Sequence, residues 1–128
     1  MVIGSVDTNV LLRAALQDVP EQFARVNSLL MQGEYIVSDV AITEAVHALR
    51  YHYKINRAAI CDGVRALTKI PNLLFSTALP EALDIYEDHP SLSFEDCFMA
   101  VTAEHANAYP LYTFDQKLAK QTSAELVP

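Results

Sequence analysis

Short apolar stretches recur along this chain of 128 residues, and each gives way at once to a segment of helical periodicity. That alternation, more than any other feature, limits what the chain can fold into. Val2-Ile3-Gly4-Ser5-Val6 stops at Asp7, and Tyr35-Ile36-Val37-Ser38, Leu73-Leu74-Phe75 and Pro110-Leu111-Tyr112-Thr113 follow as further strands, with Glu125-Leu126-Val127 as a last edge strand. Helical patterns run from Thr8 to Leu16, from Pro20 to a stop at Gly33, from about Val40 to His52 and from Asn56 to Ile70. Others run from Pro80 through Tyr86 to His89-Pro90, from Phe94 to about Asn107 and from Gln116 to Lys120. Strands that alternate with helices are joined by crossovers and pair in parallel. The pattern predicts one three-layer α/β domain over residues 1–128, a parallel sheet with helices on both faces. Val2, Ile3 and Val6, with only small residues between them, read as a strand buried on both faces, and Thr8 as the cap of the helix that follows.

Composition supports a folded domain: 52% of residues are hydrophobic and only 20% are charged, too apolar a balance for a disordered chain. Two cysteines, Cys61 and Cys97, make no disulfide framework and read as reduced core thiols of a cytoplasmic protein. No basic leader precedes a long apolar run, and no stretch approaches the roughly 20 apolar residues of a membrane span, so neither a signal peptide nor a membrane anchor is expected. The net charge is −7, but it is unevenly spread. Residues 1–69 hold seven Lys/Arg against seven Asp/Glu, whereas residues 70–116 have no Lys or Arg at all. Five of the nine basic residues, Arg50, Lys54, Arg57, Arg65 and Lys69, fall in one short segment. Overall acidity argues against a general nucleic-acid binder yet leaves room for an acidic site beside a local basic patch.

Four acids occupy equivalent places in this plan. Asp7 and Asp115 directly follow strands, Glu44 lies in the first turns of the helix after the second strand, and Asp96 lies in the first turn of the helix before the fourth. In open α/β sheets, sites form outside the carboxyl ends of the strands. If the first and fourth strands are neighbours, all four acids gather at that edge. Carboxylates held together repel unless a cation neutralises them, and hard cations such as Mg²⁺ or Mn²⁺ prefer oxygen ligands. Such an ion generates a nucleophile from water and stabilises charge on a phosphoryl group, so the set points to cleavage of a phosphodiester. Each acid also has a structural reading. Ser93-Phe94-Glu95-Asp96 is a capping-box pattern, Asp115 fits a helix N-cap, and Glu44 fits a solvated helix position. On the helical wheel Glu44 lies with Val40, His47 and Tyr51, opposite the apolar stripe of Ile42, Ala45, Val46, Leu49 and Tyr53. It therefore faces either solvent or a cleft.

Val6-Asp7-Thr8-Asn9-Val10-Leu11-Leu12 resembles the opening motif of PIN-domain ribonucleases, in particular the VapC-type toxins. Ile42-Thr43-Glu44-Ala45-Val46 is similar to the segment with that family's helix glutamate, Phe94–Ala100 to the one with its third acid, and Leu111–Asp115 to the one with its fourth. The likeness runs over essentially the whole chain. It implies a parallel five-stranded sheet and a Mg²⁺- or Mn²⁺-dependent endoribonuclease that cuts RNA, usually restrained by a protein antitoxin and usually a homodimer. By position, Asp7 and Asp96 would be direct metal ligands and Asp115 a ligand directly or through water. Glu44 would position the metal or the attacking water, and Asn9 and Thr113 would orient the carboxylates. Arg13, Arg50, Lys54 and Arg57 are the candidate phosphate contacts, and the Tyr51, Tyr53, Ile55 region offers apolar surface for a dimer. The acidity of the C-terminal part departs from what an RNA-binding surface requires.

The sequence is compatible with two other readings. Asp7 is placed to act as the nucleophile of a phosphatase or phospho-acceptor domain, but the acid such phosphatases want two residues on is Asn9 here. A catalytically inactive PIN-like module that binds RNA or protein is the other.

Overall fold

The computed structural model describes residues 1–128, which divide into two compact units, 1–76 and 77–128. In the first unit β1 (Val2–Val6) leads through α1 (Thr8–Leu16) and α2 (Pro20–Leu30) to β2 (Glu34–Val37). Then α3 (Asp39–His47), a widened helical turn over Ala48–His52 and α4 (Arg57–Thr68) lead to β3 (Leu73–Leu74). Both pairings in this sheet are parallel, in the order β1-β2-β3. Each parallel step is spanned by a helical crossover, as the alternation requires.

Local chemistry sets most of the boundaries. Ser38 accepts a hydrogen bond from the Ala41 N–H at 3.1 Å and Asn56 one from Ala59 at 2.8 Å, which satisfies donors at the starts of α3 and α4 that have no partner within the helix. Pro20 opens α2, where a missing N–H costs nothing. Gly33 does not end α2, which stops at Leu30. Its role is close approach: a Cβ there would lie 2.6 Å from the Ile3 side chain. Tyr35 is buried in the central strand and donates its hydroxyl to the Leu29 carbonyl at 3.0 Å, tying β2 to the end of α2. Asn72 fastens the entry to β3 by donating to the Leu30 carbonyl. Leu11, Ile42, Val46, Ile60 and Val64 are all within 2% of full burial, and truncating Leu11, Ile42 or Ile60 to Ala removes about 2–5 kcal/mol.

The expected burial of the first strand also fails. β1 is not buried on both faces: Val2 and Ile3 are 44% and 49% exposed, and only Val6 at the carboxyl end is buried. β1 is the end strand of its three-stranded sheet. Its β-branched residues still favour extended backbone, so the strand forms although its first half is half in water.

The second unit contains α5 (Leu79–Asp88), α6 (Phe94–His105), β4 (Tyr112–Thr113), α7 (Gln116–Gln121) and β5 (Glu125–Leu126). β4 pairs with β5 in parallel. Helices α5 and α6 pack together, and Tyr86 meets Phe94 edge-on at 5.6 Å. The chain thus carries five strands, all paired in parallel, as three and two. Cys61 and Cys97 are buried thiols. No helix is long and apolar enough to cross a membrane.

Candidate functional site

The carboxyl ends of β1 and β2 open into a shallow cleft of ≈ 360 Å³, lined by Ser5, Val6, Asp7, Thr8, Ser38, Val40, Ala41 and Glu44. Asp7 and Glu44 therefore share one cleft wall although they lie far apart in sequence. β1 ends at Val6, so Asp7 is the first residue clear of the sheet, and its Oδ1 accepts the Val10 N–H at 3.1 Å. Asp7, not Thr8, is the N-cap of α1. The Thr8 hydroxyl is turned across to α3, where its proton is shared between the Ala41 carbonyl at 3.2 Å and Glu44 Oε2 at 3.1 Å. Sequence reading gave Thr8 only a capping role, because its partner lies on a different helix. The signal was the helical wheel, which sets Glu44 off the core face.

The remaining acids belong to the second unit. Asp96 stands in the first turn of α6, its backbone N–H held by Ser93 Oγ at 3.1 Å, so the serine half of the capping box is formed. Asp115 caps α7, its Oδ1 accepting from the N–H groups of Lys117 at 2.8 Å and Leu118 at 3.2 Å. Thr113 accepts the Asp115 backbone N–H at 2.9 Å, which orients the main chain that carries this carboxylate. Asp7, Asp96 and Asp115 thus stand within the first turns of helices or directly before them, where the helix dipole favours negative charge, whereas Glu44 lies beyond the first turn of α3.

Among the basic candidates, Arg13 is committed within the fold. Its Nη2 donates to the Tyr53 hydroxyl at 2.9 Å, and its Nη1 pairs with Asp18 at 3.1 Å. Arg13 and Asn9 also line a separate cleft of ≈ 350 Å³ between α1 and α2. Lys54 is exposed, and Arg50 and Arg57 are half-buried.

A family model described as the PIN domain matches residues 5–123. The chain belongs to the PIN domain family. PIN domains are generally metal-dependent nucleases, typically acting on RNA. No curated protein and no solved structure matches the chain. The donors of the Asp7–Glu44 cleft fit the divalent ions such a domain uses. They are carboxylate and hydroxyl oxygens, with no histidine or cysteine on the wall, a hard set suited to Mg²⁺ or Mn²⁺. Within neither unit do three or more His, Cys, Asp or Glu side chains form a metal-holding group. Mg²⁺ is commonly held by only one or two carboxylates and keeps several waters, so a carboxylate pair is a sufficient start for its site.

Proposed function

We propose that this PIN domain is an endoribonuclease that requires Mg²⁺ or Mn²⁺ and serves as the toxin of a toxin–antitoxin pair. The observation that carries the reading is the cleft in which Asp7 and Glu44 meet at the carboxyl ends of β1 and β2, in a chain whose family is generally nucleolytic. The bound ion would stabilise phosphoryl charge and make water a better nucleophile. Following the family resemblance, Asp7 and Asp96 would be its direct ligands and Asp115 a ligand directly or through water. Glu44, steadied by the Thr8 hydroxyl, would position the metal or the attacking water. Asn9 and Thr113 help to set the carboxylates. Arg50, Lys54 and Arg57 contact RNA phosphates, and Arg13, already paired with Tyr53 and Asp18, holds that basic segment in place. Residues 1–128 act as one functional domain, since the family match runs through both units.

Cleavage of single-stranded RNA by the purified chain tests this. Asp7→Asn and Asp96→Asn should each lose cleavage with the far-UV spectrum unchanged, and EDTA should abolish the wild-type reaction. Full activity in both variants, or indifference to EDTA, overturns the proposal. The remaining parts follow the family resemblance: a protein antitoxin that blocks the acidic cleft, a homodimer and a cytoplasmic location. Co-purification with the product of a neighbouring small reading frame, with loss of cleavage in the complex, checks the first. Light scattering at micromolar concentration checks the second.

A further inference from the structure

The face of α3 that carries Glu44 continues past the cleft. Val40, Glu44, His47 and Tyr51 follow at steps of four, three and four residues, the spacing of one helical face. All four are exposed, Val40 by 67% and Tyr51 by 60%. Val40 and Glu44 line the cleft with Asp7. One turn further, the rings of His47 and Tyr51 lie against each other, centroids 4.7 Å apart and planes inclined at 49°. The opposite face, with Ile42, Ala45, Val46 and Leu49, is buried, so the core does not need this aromatic pair.

The backbone beneath the pair is unusual and firmly held. The helix widens here: the Tyr53 N–H donates to the Ala48 carbonyl at 3.0 Å and the Ile55 N–H to the Leu49 carbonyl at 2.9 Å. Such wide turns occur frequently at functional sites. Arg13 clamps the Tyr53 hydroxyl from α1, and His52 stands edge-on to the Tyr53 ring at 4.9 Å. The segment then takes a left-handed backbone conformation at Lys54, which is exposed and has φ 59°. Arg50 and Lys54 thus flank Tyr51 in sequence with positive charge, while the cleft wall at Glu44 lies seven residues away, about 10 Å at 1.5 Å per residue.

We propose that the His47–Tyr51 pair is a base-stacking platform for single-stranded RNA, which seats a nucleotide next to the one cleaved and so positions the strand over Asp7 and Glu44. The proposal deepens the ribonuclease reading and rests on it. An aromatic ring accepts any base because every base has a π-face, and flanking cations hold the phosphates. Paired RNA keeps its bases stacked inside the helix and offers none to the platform. The acidic cleft repels RNA until its cation is bound, so an aromatic, stacking contact beside it is a suitable anchor for the strand.

The test uses fluorescein-labelled single-stranded oligoribonucleotides and the full chain carrying Asp7→Asn to prevent cutting. Tyr51→Ala in that background should raise Kd about 5- to 150-fold, the range of one lost base stack. Tyr51→Phe should restore most of the affinity. An abasic scan should find one nucleotide whose base matters with Tyr51 and no longer matters with Ala. Lys54→Ala should flatten the dependence of log Kd on log salt by about 0.7, whereas Tyr51→Ala should leave that slope alone. An unchanged Kd for Tyr51→Ala, or no base whose effect depends on Tyr51, overturns the platform. So does light scattering that shows Tyr51→Ala breaking a dimer while RNA affinity stays constant. If the wild type cleaves RNA and Tyr51 proves irrelevant, only the platform falls. If RNA binding depends on Tyr51 and the wild type never cleaves, the nuclease reading falls and the platform stands.

Discussion

Asp7 has two separable jobs, and two substitutions tell them apart. It caps α1 through one hydrogen bond, Val10 N–H to Oδ1 at 3.1 Å, and it presents a carboxylate to the cleft shared with Glu44. Asparagine caps a helix about as well as aspartate, whereas alanine cannot, at a typical loss of about 1 kcal/mol. Asp7→Asn also gives up a favourable charge at the helix N-terminus, worth about 0.3–1 kcal/mol and near the low end because the residue is exposed. Relief of repulsion from Glu44 offsets part of that. Asp7→Asn should therefore unfold within about 0.5 kcal/mol of wild type, and Asp7→Ala about 1 kcal/mol below it, or about 4 °C in Tm for a chain of this size. Urea and thermal unfolding at low divalent-ion concentration measure both. Added Mg²⁺ at about ten times its Kd should then stabilise the wild type by about 1.4 kcal/mol and both variants by much less. RNA cleavage should be lost in both. Equal destabilisation by Asn and Ala refutes the capping argument. Cleavage or Mg²⁺ stabilisation of wild-type size in Asp7→Asn refutes the ligand role.

Other sites lead to equally concrete outcomes. Thr8→Val keeps the shape of the side chain but removes the donor to Ala41 and Glu44; urea unfolding should show a loss of about 1 kcal/mol, and kcat should fall as Glu44 loses its anchor. Asp115→Ala frees two N–H groups at the start of α7 and should cost about 1–2 kcal/mol, while Asp115→Asn keeps the cap and loses only cleavage. Gly63 lies inside α4, and a Cβ there meets nothing within 4 Å. Gly63→Ala should raise stability by about 0.5–1 kcal/mol, read as an increase in Tm, with cleavage unchanged.

What the sequence determined by itself is what depends on neighbours three or four residues away. Ser38, Asn56, Ser93 and Asp115 each begin a helix through a side-chain bond to the N–H three residues on, so type and spacing reveal them. The stripe that sets Glu44 apart from Ile42 and Val46 was legible for the same reason, because helical period alone fixes which residues share a face. The places of Asp7 and Asp115 between a strand and a helix, and of Asp96 in the first turn of a helix, were readable in the same way. Tertiary structure decided what depends on distant partners. Thr8 gave up the cap to Asp7 because α3 brings Glu44 within 3.1 Å of its hydroxyl. Arg13, which resembled a free phosphate contact, is occupied by Tyr53, 40 residues away in sequence, and by Asp18. The first half of β1 is half-exposed, since burial depends on what packs over a strand and not on how apolar it is. Periodicity is a property of one helix or strand, but a site is made where the crossovers bring separate elements together, and only the fold fixes which side chains meet there.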